Sequence, residues 1–263
     1  MTIIRLAGRL TLFSFFLFLT AAIAVTVRVA ERLTTQAIDR TPYARFCFGG
    51  AARCLGFRIT EFGAVANGPV LFVGNHVSWS DIPILGGAAP LRFLSKAEVG
   101  SWPVIGWLAT QAGTLFIQRG QGRAGQSRAD IAHALRQGQS VLVFPEGTTT
   151  AGVTVLPFHR RLLSAAVDAD VPIQPVSIGY RRKNRADHLA PFIGDDEFQS
   201  HLVRMLKQPA VEVSVMFHPT VQVGPNDDMQ DVAANLQRTV AGGLARIHQG
   251  QAGPISSSVA SLT

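Results

Sequence analysis

The chain has 263 residues, of which 47% are hydrophobic and only 16% charged, and Lys plus Arg exceed Asp plus Glu by 24 to 17, for a net charge of +7. That length holds one large domain or two small ones, and the balance is apolar for a freely soluble enzyme. A basic, apolar chain suits an anionic surface as partner, and the apolar excess favours membrane headgroups over nucleic acid. The two cysteines, Cys47 and Cys54, have no second pair to complete a zinc site. They read as free thiols among apolar neighbours, and nothing demands an oxidising compartment.

In chain order, the first element is the uncharged run "LTLFSFFLFLTAAIAVTV" at residues 10–27. It is long enough for a short membrane helix. The rival is a cleaved signal peptide, with Arg5 and Arg9 as a basic start and Ala22-Ile23-Ala24 as a small-residue cleavage site. The membrane anchor is preferred. Arg28, Arg32, Arg40 and Arg45 favour a cytoplasmic position for the chain beyond the run, while Arg5 and Arg9 pull the other way. The expected organisation is an anchor helix at 1–32, a linking helical segment at 33–68, one catalytic domain at 69–250 and a loose tail at 251–263.

From Pro69 onward, apolar β-rich runs alternate with helical stretches. Strands are expected at "PVLFVG", "LRFLS", "TLFIQR", "SVLVFP", "VPIQPVSIGY" and "AVEVSVMFH". These runs are continuous rather than alternating, as in a sheet covered on both faces. Helices are expected at "RADIAHALRQG", "HRRLLSAAVDA" and "DMQDVAANLQRTVAGGLARI". The rhythm predicts an α/β domain whose mixed, largely parallel sheet is flanked by helices. Such folds place their chemistry beyond the carboxyl ends of strands.

Three loops there carry polar residues. In "NHVSWSD", His76 and Asp81 do not share a helix face. A turn after the strand, with a helix starting near Asp81 as cap and Pro83 in its first turn, lets the carboxylate fold back to the imidazole. That would fix one ring nitrogen and leave the other as a general base. The plainer alternative is a helix cap beside an exposed or core histidine. No Gly-x-Ser-x-Gly elbow supplies a nucleophile for the histidine to serve, so a substrate hydroxyl is the natural client. In "FPEGTTT", Glu146 ends a strand and Gly147 permits a tight turn whose amides could face an anion, or an ordinary loop. Arg119, ending "GTLFIQR", and Lys96, in "SKAEV", place cations at strand ends, suited to phosphate or simply to solvent.

With these blocks in hand, the chain resembles the 1-acylglycerol-3-phosphate acyltransferase family of glycerolipid acyltransferases. "NHVSWSD", "GTLFIQR", "FPEGTTT" and "VPIQPV" match four of its motif blocks in order. The resemblance implies a reaction in which His76, paired with Asp81, deprotonates a lysolipid hydroxyl that attacks an acyl thioester, with no acyl-enzyme. It implies substrate-binding roles for Lys96, Arg119, Glu146, Gly147 and Thr148, no metal and no cofactor, and acyl-CoA or acyl carrier protein as donor. The partners implied are the bilayer and a lysolipid acceptor, at the inner membrane with the catalytic domain facing the cytoplasm. The first expectation for the acceptor is 1-acyl-sn-glycerol-3-phosphate, giving phosphatidic acid. Gln118 and Thr149 depart from the family's usual Asp and Arg, and the missing arginine removes one phosphate contact. "KAEVGSWPVIGWLA" with the later blocks is also similar to the branch that acylates lyso-ornithine lipid, which is the alternative.

Among other classes, a nucleic-acid module is suggested by "RRKNR" at 181–185, but that cluster lacks interleaved aromatics and reads as a loop near anionic lipid. A noncatalytic scaffold would have no use for His76 and Asp81 in register with Glu146.

Overall fold

The computed structural model describes residues 2–117 and 124–252. Its first element, α1 (Thr2–Thr34), carries a window of mean hydropathy 2.3 that is 6% buried. At 1.5 Å per residue the helix is about 50 Å long. It lies along the rest of the protein and is fastened at both ends. Near its start, Arg5 and Arg9 donate to the carbonyls of Lys207 (3.0 Å) and Gln208 (2.8 Å). Near its end, Glu31 pairs with Arg40 at 2.5 Å, and Arg40 also donates to the Gln111 side chain. Phe15, Phe18 and Leu33 stay exposed on its outer side.

After α1 come α2 (Thr41–Leu55), β1 (Phe57–Phe62), β2 (Leu71–Gly74), α3 (Asp81–Ala88), β3 (Arg92–Lys96), α4 (Ala97–Gly100), α5 (Ile105–Gln111) and β4 (Leu115–Ile117). The second half adds α6 (Ala124–Arg136), β5 (Val141–Val143), α7 (Ser164–Ala169), β6 (Ile173–Arg182), β7 (Arg185–Ala186), α8 (Phe198–Lys207), β8 (Val211–Phe217) and α9 (Met229–His248). The strands form one sheet in the order β1-β8-β6-β2-β5-β3-β4, with β7 paired to β6 off that path. All pairings along it are parallel except β6 with β8. The mixed, largely parallel sheet is the expected one.

The continuous apolar runs are explained by two-sided burial. In β2, Phe72 packs with helices α2, α3 and α8, while Leu71 and Val73 face α6, α7 and α9. Leu142 of β5 divides from Val141 and Val143 in the same way. Burying each such side chain stabilises by about 1.5–3 kcal/mol. Because β2, β5 and β6 run parallel, their carboxyl ends open at one edge.

Three expectations need correction. The segment 33–68 is not purely helical: β1 is a strand, and the sheet begins at Phe57 rather than Pro69. It is an edge strand with most residues open to solvent, so its run is not continuously apolar. Helix α8 was not among the expected helices; it is a short amphipathic helix rich in polar residues. The helix expected at 159–169 is a 3₁₀ turn, Arg160–Leu162, leading into α7, a common way for a helix to begin. Asp81 is the first residue of α3 rather than its cap, because its carboxylate turns back toward the preceding loop. Of the tail, Ala252 is buried beside Met216 and Ile247, and 253–263 lie outside the described residues.

Candidate active site

At the end of β2, Asn75 continues the sheet with its side chain. Its Oδ1 accepts from the Ile178 amide and its Nδ2 donates to the Ile178 carbonyl, both at 2.9 Å. An amide carries both donor and acceptor, so asparagine can stand in for a strand residue where the main chain departs. The chain that leaves is held equally firmly. The His76 amide donates to Glu146 Oε1 at 2.7 Å, and the His76 carbonyl accepts from the Thr150 amide at 2.9 Å. The imidazole lies flat on Phe144, with centroids 4.0 Å apart and planes within 5°.

His76 Nδ1 meets Asp81 Oδ2 at 2.7 Å. The same oxygen accepts from the amides of Val77 (2.8 Å) and Ser78 (3.0 Å), and Oδ1 accepts from the Tyr180 hydroxyl at 2.5 Å. An acceptor so placed assigns the proton to Nδ1 and leaves a lone pair on Nε2. Nε2 has no partner among the described residues, and the His76 side chain is 21% exposed toward a groove. Asp81 is fully buried. The fold-back geometry expected from the sequence is therefore present.

The groove holds about 870 Å³ and runs from the site to α1 and α2. Phe13, Leu17, Ile23 and Phe48 form its apolar length, and His76, Trp79, Lys96, Gly147, Thr148 and Thr149 stand at its polar end. That is the shape of a site for a long apolar chain with a polar reacting end.

The remaining sequence candidates are placed differently. Lys96 ends β3, exposed on the groove, and forms no ion pair among the described residues. Glu146 was expected to bind substrate, but it is buried beneath the site with both oxygens taken by main-chain amides, of His76 and Leu156, each at 2.7 Å. Burial pushes its carboxyl pKa up, and those two amides oppose the shift. It braces His76 instead of touching the groove. Gly147 turns the chain at φ +73°, a conformation glycine adopts without strain. Its amide closes that turn onto Phe144, so it does not face an anion. Thr148 lines the groove, and its amide and that of Thr149 have no acceptor among the described residues. Arg119 and Gln118 lie outside the described residues.

Two residues at the site escaped the sequence reading. Tyr180 reaches Asp81 from β6, and His201 of α8 accepts from Trp79 Nε1 at 3.0 Å while its Nε2 meets the Pro191 carbonyl at 3.1 Å. Burial lowers the His201 pKa and favours the neutral ring. The Phe192 amide then ties to the Val77 carbonyl (2.9 Å), and its carbonyl accepts from the Thr149 hydroxyl (2.5 Å). Only a short interval in the sequence links His76 to Asp81, whereas these partners come from distant elements that the sheet order brings alongside.

A buried carboxylate orients an imidazole at the mouth of an apolar groove, on a largely parallel sheet, an arrangement that can take a proton beside a long apolar chain. The Acyltransferase family pattern matches residues 57–179, and the chain belongs to that family. It is 45% identical to the lyso-ornithine lipid O-acyltransferase of Pseudomonas aeruginosa, over 83% of this chain and 85% of that protein. A protein of the same name from Brucella abortus is 36% identical, over 72% and 76% of the two chains. The 1-acyl-sn-glycerol-3-phosphate acyltransferase of Neisseria gonorrhoeae is 30% identical, over 65% and 68%. The crystal structure of the 1-acyl-sn-glycerophosphate acyltransferase PlsC from Thermotoga maritima shares the fold: TM-score 0.64 at 21% identity, covering 94% and 98% of the two chains.

Proposed function

We propose that this protein transfers a fatty acyl group from an acyl thioester to the free hydroxyl of lyso-ornithine lipid. The observation that carries the acceptor is the 45% identity, along most of both chains, to the Pseudomonas aeruginosa enzyme of that name. Thr149 agrees with it, because its hydroxyl is spent on the Phe192 carbonyl where an arginine would have offered a phosphate contact. The phosphatidic acid reading, first in the sequence analysis, becomes the second; the Neisseria relative keeps it alive.

In this reading the acyl chain lies in the apolar length of the groove and the acceptor hydroxyl meets His76 Nε2. His76 takes the hydroxyl proton as the oxygen attacks the thioester carbonyl. Asp81, fixed by its own donors, balances the charge that develops on the ring. Collapse of the tetrahedral adduct expels the thiolate, which recovers the proton from His76. The free amides of Thr148 and Thr149 stand at the polar end of the groove, where the adduct's oxyanion would form. Lys96 attracts the anionic part of the headgroup, and Arg119 is proposed to do the same.

The outward apolar side of α1 would rest in the inner membrane, with the domain on the cytoplasmic side, where acyl-CoA or acyl carrier protein is available. The test is expression in a strain lacking the second acylation of ornithine lipid, beside one defective in 1-acylglycerol-3-phosphate acylation. Restored ornithine lipid without rescue of the second strain supports the reading, and the reverse pattern overturns it.

A further inference from the structure

The hydrogen bonds of Asp81 are divided unevenly. Oδ2 receives His76 Nδ1 and the amides of Val77 and Ser78, whereas Oδ1 receives, among the described residues, the Tyr180 hydroxyl alone. Asp81 is fully buried, so without Tyr180 one carboxylate oxygen would sit in the interior with no donor. A carboxylate in that position is free to pivot about Oδ2, which keeps its three donors, and pivoting tilts the imidazole bonded to it.

Tyr180 is itself constrained. It is 2% exposed, its ring meets Phe57 edge-on at 6.1 Å, and its oxygen lies 2.9 Å from Ser80 Oγ. The tyrosine has one proton, and Asp81 receives it, so the Ser80 hydroxyl is the donor to Tyr180. Ser80 donates to Tyr180 and Tyr180 to Asp81, while His76 Nδ1 donates to the same carboxylate from the groove side, so the hydrogen bonds converge on Asp81. Burial, followed by the neighbouring Asp81 charge, raises the Tyr180 pKa well above its ordinary value, which keeps the phenol protonated.

We infer that Tyr180 is a positioning residue for acyl transfer, its hydroxyl locking the Asp81 carboxylate so that His76 Nε2 stays aimed at the acceptor. This rests on the reading of His76 as general base. Donation from Tyr180 also draws negative charge toward Oδ1. Its loss leaves more charge on Oδ2, which favours the protonated imidazole. The other charged groups around the pair are Glu146, bonded to the His76 amide, Lys96 on the groove, and Asp187, ion-paired with Arg182 beyond the end of the chain of hydroxyls. None of them bonds to the Asp81 carboxylate or to the His76 ring among the described residues.

The experiment compares full-length wild type, Tyr180→Phe, Ser80→Ala and Asp81→Asn with Tyr180→Phe in the same chain, using lyso-ornithine lipid and a long-chain acyl-CoA. Tyr180→Phe keeps the ring and its packing. It is expected to lower kcat by about tenfold, on the order of a lost hydrogen bond to a charged group, with KM within about twofold. The acid limb of kcat/KM should move to higher pH, since that limb reports protonation of the base. Ser80→Ala should move both in the same direction by less. In the Asp81→Asn background, Tyr180→Phe should cost nothing further. An unmoved acid limb, or a full additional loss in the double variant, would overturn the inference. His76→Ala separates the two layers: if it stays active, the general-base reading itself fails. If it is inactive while Tyr180→Phe is silent, only the role of Tyr180 falls.

Discussion

Two histidines sit at opposite faces of the same sheet, each hydrogen-bonded to a side chain, and they have opposite chemistry. His76 has a carboxylate on Nδ1 and an open Nε2 on the groove. His218, just past β8, has Nε2 2.8 Å from Ser177 Oγ, and Ser177 in turn donates to the Val240 carbonyl at 2.9 Å. It is 5% exposed, and burial followed by the Arg246 charge lowers its pKa to about 4. A serine beside a histidine looks like a nucleophile and its base. Here the serine's proton already belongs to a carbonyl, no carboxylate among the described residues orients the ring, and the groove beside His76 does not reach the pair. What a histidine does depends on what its second nitrogen faces.

That contrast is open to direct test, beginning with its largest expected effect. His76→Ala should lower acyl transfer by about 10²–10⁴-fold, the usual contribution of general-base assistance, with unchanged far-UV circular dichroism. Asp81→Asn should fall somewhat less far, because the amide holds the ring in the wrong tautomer yet retains its shape. Both are read as kcat with saturating donor and acceptor.

Ser177→Ala should leave turnover within about twofold while lowering stability by about 1–3 kcal/mol, the cost of an unpaired buried polar group. Denaturant titration supplies that value, and a loss of turnover as large as that of His76→Ala would mean the contrast is misdrawn. A further effect concerns pH. His218 titrates near 4 when folded and near 6.5 when unfolded, so the unfolded chain binds its proton first as pH falls. Its contribution to stability is complete above about pH 6.5 and is lost as pH drops toward about 4. His218→Gln should flatten the stability profile in that window; an unchanged slope would remove His218 from the account.

The same contrast explains how much could be read from the sequence. The strands β2, β5 and β6 were legible because burial on both faces makes continuous apolar runs, and β8 because buried Val211, Val213 and Val215 alternate with Glu212 and Ser214. Edge strand β1 was not, since its alternation is that of any half-exposed segment. His76 and Asp81 were legible as a pair because one local turn joins them. Tyr180 was hidden inside a run that reads as ordinary strand, and only the placement of β6 beside β2 reveals that it points at Asp81. Glu146 was seen but given the wrong neighbour, because sequence shows a carboxylate at a strand end without showing that main-chain amides use both of its oxygens.

The central claim is that the acceptor hydroxyl gives its proton to His76 with no protein nucleophile between them. Ser80 Oγ is engaged with Tyr180, and Ser78 Oγ is buried, which leaves neither serine of the site loop on the groove. Intact-mass measurement of the enzyme incubated with acyl donor alone tests the claim most directly. The account predicts an unmodified mass and unconsumed donor until lyso-ornithine lipid is added. A stoichiometric acyl adduct on Ser78, Ser80 or any other side chain, formed without acceptor and discharged when acceptor arrives, would contradict it.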